Sequence, residues 1–447
     1  MTDSNVKTYI RTSKHSLKFA NSGKLQQYHE FVSEMRKTAQ IYVDFLWNHS
    51  CQWNDKNGAS HSMCIDCLQL DIPPFFDYNL IPLPIENKLS ARAKSSLVTQ
   101  CMGIVKAATE KYRKQFFILN KLIKENKPVP FKLLERLVVH QPVKPTIDKI
   151  NIEISSKNID FQKVNGEFDL FIRLKSLGDF NNINMPIKMH KRANKWKNKA
   201  EMKGSILCSD KNIDIRWEIE QPLKTVGKTI GIDQGKNVIL TCSDSQVTPE
   251  KNEHGHTLNS IMRKLERKKK GSKSFRKSQD HRENFINWSI NQISLINVLN
   301  VKYEDIKQIY SGIKMSRYMR HWIYAFIGEK VERICEENGV HFLPESPTYR
   351  SQRCSECGWV HKKNRNGRIF ICTRCGAFLD ADFNASRNHE VELPFISKSF
   401  MKLNLNRSSG FYWNSEGLFS EDGEEFRVPL SQNEVKEYPG HAGDCGA

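Results

Sequence analysis

Two cysteine pairs, Cys354/Cys357 and Cys372/Cys375, are each separated by two residues and are followed at once by Asp380-Ala381-Asp382-Phe383-Asn384-Ala385. Four thiolates at that spacing suffice for a closed tetrahedral Zn2+ site. Glycine follows each pair (Gly358, Gly376) and relieves the tight turn that lets backbone amides point at sulfur. The acidic cluster that comes next offers the hard oxygens that hold catalytic Mg2+. Two more carboxylates end short apolar runs. Asp233 closes Lys228-Thr229-Ile230-Gly231-Ile232, and Glu304 closes Val298-Leu299-Asn300-Val301-Lys302-Tyr303. Phosphodiester cleavage needs an in-line water and stabilised charge on the phosphate oxygens, and two Mg2+ ions roughly 4 Å apart supply both. Asp233, Glu304 and Asp382 are therefore the candidate catalytic set. Asp380 competes with Asp382, and Asp305 with Glu304. Singly, an Asp after a strand is more often a turn or cap residue, and Asp380 reads as a helix cap. The expected chemistry is metal-dependent cleavage of a nucleic acid, with two Mg2+ at the carboxylates and one Zn2+ at the four cysteines.

A second cysteine/histidine set lies near the N-terminus. Cys51, His61, Cys64 and Cys67 make a candidate zinc site of three thiolates and one imidazole, with His49 an alternative ligand and free thiols the competing reading. Basic residues form three further candidate groups. Lys188, Lys191, Arg192 and Lys195 surround Trp196, where cations would neutralise phosphates and the indole would stack on a base or sugar. Trp196 reads equally as a core residue of a small barrel. Lys268, Lys269 and Lys270 lie on a long basic helix, and Lys362 and Arg365 lie in the loop between the two cysteine pairs.

Composition agrees with a polyanionic partner. The chain has 447 residues, enough for two or three domains, and 69 Lys+Arg against 50 Asp+Glu give a net charge of +19. The start, Met1 to Lys14, lacks an apolar core, and no run of 18 apolar residues occurs, so neither secretion nor a membrane partner is expected. Clustered cysteine pairs in such a chain point to metal ligation in a reducing, cytoplasmic compartment.

The elements that must position these groups follow from the pattern. Lys7 to Ala20 reads as a strand, and Lys24 to Trp47 and Leu89 to Ile123 as helices. Asp71 to Pro84 reads as a loop, and Val129 to Glu220 as β-rich, with strands at Phe168 to Leu174 and Ile213 to Ile219. From Lys228 the order is hairpin, basic helix broken at Gly271-Ser272, strand, helix, strand, and a helix at Asp382. That order fits an RNase H-like α/β layout. After Asn388 a small segment with an acidic tail follows, which reads either as a shield for the basic groove or as a flexible end, the second being the expectation.

The combination resembles the TnpB proteins of bacterial insertion sequences and the compact type V CRISPR effectors, RNA-guided DNA nucleases with a RuvC domain. The resemblance rests on Gly231-Ile232-Asp233-Gln234-Gly235, on Val301-Lys302-Tyr303-Glu304-Asp305-Ile306, on Pro347 to Gly358 leading into the cysteine ribbon, and on Asp380 to Asn388. It covers about Lys228 to Asn388. It departs from that family at Gln234, where a small or apolar residue is more usual, and after Asn388. The resemblance implies catalysis by Asp233, Glu304 and Asp382, with a guide RNA and a target DNA as partners. It implies a multi-domain α+β architecture: a wedge β-barrel (1–22 and 129–224) with an inserted helical recognition lobe (23–128), a RuvC domain (225–349 and 379–392), a zinc ribbon (350–378) and an extension (393–447). It raises the odds of zinc at the N-terminal set, and it leaves monomer and homodimer both open.

Overall fold

A computed structural model describes residues 6–48, 51–54, 60–63, 87–164, 166–197, 199–235, 238–304 and 323–426. The chain divides into two compact units, residues 8–220 and residues 221–447 together with 1–7.

Among the described residues, the first unit holds two larger antiparallel sheets, a two-stranded ribbon and four α-helices, one of them the single turn Lys191–Asn194. Asn212–Pro222 alternates, burying Ile213, Ile215, Trp217 and Ile219 on one face. It lies between Val6–Ser16 and Ala200–Cys208, with Ile152–Ile154 at the far edge. Ile159–Lys163, Leu170–Leu174 and Ile183–Ile187 form a second, antiparallel sheet. Helix Ser22–Asn48 buries Tyr28, Phe31, Met35 and Tyr42 at helical spacing, and helix Ala91–Lys124 starts on a Ser90 cap that accepts the Ala93 amide. Helix Phe131–Val139 corrects the sequence expectation of β structure over that stretch. Its residues Phe131, Leu134 and Val138 recur at helical spacing, a pattern that the β-branched Val138-Val139 obscured.

The second unit holds an α/β sheet. Strand β1 (Lys228–Gln234) pairs antiparallel with β2 (Leu240–Cys242). Helices α1 (Leu258–Glu266) and α2 (Lys273–Ile290) follow, and the break between them is wider than expected, so that Lys268, Lys269 and Lys270 lie in the connection and not on the helix. Strand β3 (Val298–Glu304) runs parallel to β1, helix α3 (Tyr324–Glu337) comes next, and β4 (His341–Glu345) runs parallel to β3. The sheet order is β2-β1-β3-β4. Its central strands are buried on both faces, which is why they read as nearly continuous apolar runs. Ile230, Ile232, Val301, Met262, Phe285, Ile327 and Val331 make its core.

Between β4 and the last helix of this layer lies the cysteine ribbon, with strands β5 (Arg365–Asn366), β6 (Ile369–Ile371) and β7 (Phe378–Asp380) in an antiparallel sheet. Strand β7 passes directly into helix α4 (Ala381–Glu390). The expectation of a flexible end after Asn388 is corrected as far as residue 426. Phe411–Trp413 pairs with Trp359–Val360 of the ribbon, and Ile396, Phe400 and Phe411 are buried together. Arg353 donates to the Trp413 carbonyl at 2.7 Å, and Arg374 pairs with Glu421 at 2.5 Å. The aromatic content of this segment supplies a core of its own, so the acidic surface does not make it loose. Residues beyond 426 lie outside the described residues, whereas the acidic run Glu421 to Glu425 lies within them.

Candidate metal centres

The four ribbon cysteines come together. Their sulfurs all lie within 4.8 Å of one another, with Cys354 to Cys375 at 3.7 Å and Cys357 to Cys372 at 3.6 Å. Tetrahedral thiolates at a Zn–S distance of about 2.3 Å stand about 3.8 Å apart. The donor set and its spacing therefore fit Zn2+. Gly358 (φ +80°) and Gly376 (φ +75°) take the left-handed turn after each pair. The amides of Arg374 and Cys375 each approach Cys372 Sγ at 3.4 Å, where they offset thiolate charge.

The carboxylates assemble from three separate stretches. Ile232 of β1 lies opposite Tyr303 of β3 in parallel register, so Asp233 and Glu304 leave the sheet at the same end. The Gln234 amide donates to Glu304 Oε1 at 3.2 Å and fixes that carboxylate beside β1. Helix α4 brings the third acid. Asp380 accepts the amides of Asp382 (2.9 Å) and Phe383 (3.1 Å), so it is the N-cap, and Asp382 stands in the first turn where the helix dipole favours an anion. The helix can lie on β1 because Gly231 has no side chain. A Cβ there would meet the Ser386 carbonyl oxygen at 2.1 Å and the Glu390 nitrogen at 2.4 Å. A Cβ on Gly235 would stand 3.1 Å from Asp382 Oδ2, which places that carboxylate beside the end of β1.

The three acids share one electrostatic field. Burial, then Glu304, then Asp382 hold the Asp233 carboxyl well above its usual range. Burial pushes Glu304 up to about 7, against the pull of the Gln234 amide and Arg365 and with a further push from Asp382. Buried carboxylates that repel one another are the donor set that hard divalent cations relieve, so these residues fit Mg2+ or a similar ion. The tightest group, however, is a carboxylate oxygen each from Asp233 and Glu304 and a ring nitrogen of His389, all within 4.8 Å of one another. Asp382 lies outside that group, and its Oδ1 accepts a 2.7 Å charged bond from Arg365 of the ribbon.

Two of these partners carry a different reading, or none, in the sequence. Its place in the basic loop groups Arg365 with nucleic-acid contacts, whereas the structure pairs it with the third acid. His389 does not stand out in the sequence, although it follows Asp382 by seven residues and so falls on the same helix face. It is 1% exposed, and burial with the nearby Arg350 guanidinium holds it well below the ordinary imidazole value. Gln234, the departure noted above, is buried and accepts a hydrogen bond from the Tyr303 hydroxyl.

Trp196 is corrected. It is 4% exposed and its ring lies 6.4 Å from that of Trp217, so it serves the core and offers no face to a base. Around it Lys188, Lys191 and Lys195 are exposed, as are Lys269, Lys270 and Lys362, while Lys268 is half-buried. The Arg192 side chain lies outside the described residues. Of the N-terminal set, Cys51 and His61 fall on paired strands Cys51–Asn54 and Ser60–Met63, with Trp53 opposite His61. Cys64 and Cys67 lie outside the described residues, as does Asp305.

Comparison with known proteins bears on the ribbon first. Residues 324–389 match the family model "Cas12f1-like, TNB domain". A CRISPR-associated endodeoxyribonuclease Cas12f1 of Sulfoacidibacillus thermotolerans is 42% identical over 84 residues, 19% of each chain. A protein of the same name from Syntrophomonas palmitatica is 27% identical over 178 residues, 33% of this chain and 35% of that one. The TnpB-like protein aq_aa05 of Aquifex aeolicus is 31% identical over 78 residues, 17% of this chain and 26% of that one. The matches thus span about a fifth to a third of the length of these relatives. Among the described residues, no helix is long and apolar enough to cross a membrane. The likeness to the Cas12f1 and TnpB-like proteins thus centres on the ribbon and the helices on either side of it.

Proposed function

We propose that the chain is an RNA-guided, Mg2+-dependent DNA endonuclease with Asp233, Glu304 and Asp382 as its catalytic acids. The observation that supports this most is the meeting of two sheet-end carboxylates with the acid of a helix that emerges directly from a four-cysteine ribbon. The names of the relatives, CRISPR-associated endodeoxyribonucleases, point the same way. Divalent ions bound there would offset phosphate charge and make a bound water more acidic. Asp233 and Glu304 hold their oxygens fixed on the sheet. Asp382 adds an oxygen from the helix, and Arg365 is in position to pass from Asp382 to a non-bridging phosphate oxygen when nucleic acid enters. The ribbon, with zinc on Cys354, Cys357, Cys372 and Cys375, carries Arg365 and exposed Lys362 to that site.

In this reading residues 225–349 and 379–392 form a RuvC-type RNase H-like domain interrupted by the ribbon at 350–378 and followed by the extension at 393–447. Residues 1–22 and 129–224 form a wedge barrel and 23–128 a recognition lobe, and the exposed lysines 188, 191 and 195 contact guide or target backbone. Base pairing between guide RNA and target DNA supplies the sequence choice, and the protein reads backbone and a short flanking motif. The chain works in a prokaryotic cytoplasm.

The test is co-expression with its native flanking DNA, sequencing of the RNA that co-purifies, and cleavage of a DNA library matching that RNA. Cleavage should appear with Mg2+ and fall at least about a thousandfold in Asp233→Ala, Glu304→Ala and Asp382→Ala, with RNA retained. Persistent cutting by purified Asp233→Ala, or cutting that needs no RNA, would remove the proposal.

A further inference from the structure

The carboxylate centre contains a nitrogen donor that a purely acidic site does not need. His389 sits on the same face of α4 as Asp382 and packs at the level of Gly231, where the absent Cβ lets the helix backbone lie against β1. A ring nitrogen lies within 4.8 Å of oxygens from both Asp233 and Glu304. The side chain is 1% exposed, and its Nδ1 has no hydrogen-bond partner among the described residues. A buried imidazole with an unmet nitrogen is costly unless something satisfies it, and water or protein usually does. Here the neighbours that could share an ion with it are two carboxylates. An imidazole added to carboxylates raises affinity for first-row transition ions such as Fe2+, Ni2+ and Zn2+, whereas Mg2+ favours oxygen ligands and octahedral geometry.

We infer that His389 is a ligand of the ion held between Asp233 and Glu304, and that this mixed nitrogen and oxygen site favours a first-row transition ion over Mg2+, with paramagnetic Mn2+ as the probe. The inference rests on the reading of Asp233 and Glu304 as metal ligands and adds a ligand and a metal preference to it. The competing arrangement is a proton shared between the ring and a carboxyl group, with no metal–nitrogen bond.

The experiment is pulsed electron paramagnetic resonance of Mn2+ bound to the full chain, with binding isotherms for Mn2+ and Mg2+ on the same samples. The native chain should show 14N coupling to Mn2+. His389→Gln, which keeps a polar side chain of similar reach, should lose that coupling and bind Mn2+ about tenfold more weakly, with Mg2+ affinity changed much less. Thermal unfolding of the same variant reports whether it is folded. Native protein that binds Mn2+ in an Asp233-dependent way without 14N coupling overturns the inference and leaves the carboxylate reading standing. Coupling that survives in folded His389→Gln overturns it as well. Mn2+ binding indifferent to Asp233→Ala and Glu304→Ala removes the carboxylate reading and this inference together.

Discussion

The cysteine ribbon and the carboxylate centre adjoin one another and are built in opposite ways. The ribbon takes all four donors from one short stretch, and two turns impose their geometry. The centre takes its acids from two strands and a helix, and only the packed sheet brings them together. A local site holds its shape by its metal. A dispersed site holds its shape by its fold and keeps repulsive charge in reserve for a ligand.

That contrast predicts where each region breaks. The largest effect should come from the ribbon. Cys357→Ser with Cys372→Ser should release the zinc and unfold residues 354–380, since structural zinc contributes on the order of 10 kcal/mol to small domains. Zinc release to a chromophoric chelator and limited proteolysis would record it, and the sheet from β1 to β4 should stay protected. A ribbon that remains protease-resistant without zinc would end the contrast. An intermediate effect is expected at the helix contact. Gly231→Val should cost about 2–3 kcal/mol through overpacking and should weaken divalent-ion binding as well, because the displaced helix carries both Asp382 and His389. Denaturant unfolding beside metal titration would show whether the two losses come together. Unfolding that leaves ion affinity intact would separate the helix from the centre.

The smallest effect is electrostatic. The Glu304 carboxyl, ordinarily near 4.5, is pushed up to about 7 in the folded chain. Without divalent ions, the folded state keeps a proton that the unfolded chain has already released. The stability this contributes is present below the unfolded value and is lost as pH rises through about 7. The melting midpoint of metal-free protein should therefore fall as pH rises from about 4.5 to about 7, and Glu304→Gln should flatten that slope. Added divalent ion should oppose the fall. An unchanged slope in Glu304→Gln would mean that the repulsion lies elsewhere.

Much of this was legible because the signals are local. The cysteine spacing, the apolar runs ending in Asp233 and Glu304, and the cap-like Asp380 before Asp382 each express a geometry that one stretch of chain imposes on itself. What escaped depends on contacts between stretches. Trp196 sits among lysines in sequence, yet its ring faces Trp217, a strand away. Phe411 and Tyr412 looked like a loose end because the strand that pairs with them, Trp359–Val360, lies far earlier in the chain. His389 carried a helical spacing from Asp382, but nothing in its own neighbourhood said that two carboxylates stand opposite.

One joint has a consequence of its own. The last ribbon strand becomes helix α4 with no intervening loop, and Asp380 clamps the junction through the Asp382 and Phe383 amides. Two acids are thus bolted to the sheet, while the third rides on a stiff stem. Anything that tilted the ribbon would shift Asp382 relative to Asp233 and Glu304, so the placing of the third acid depends on the seating of the four-cysteine module.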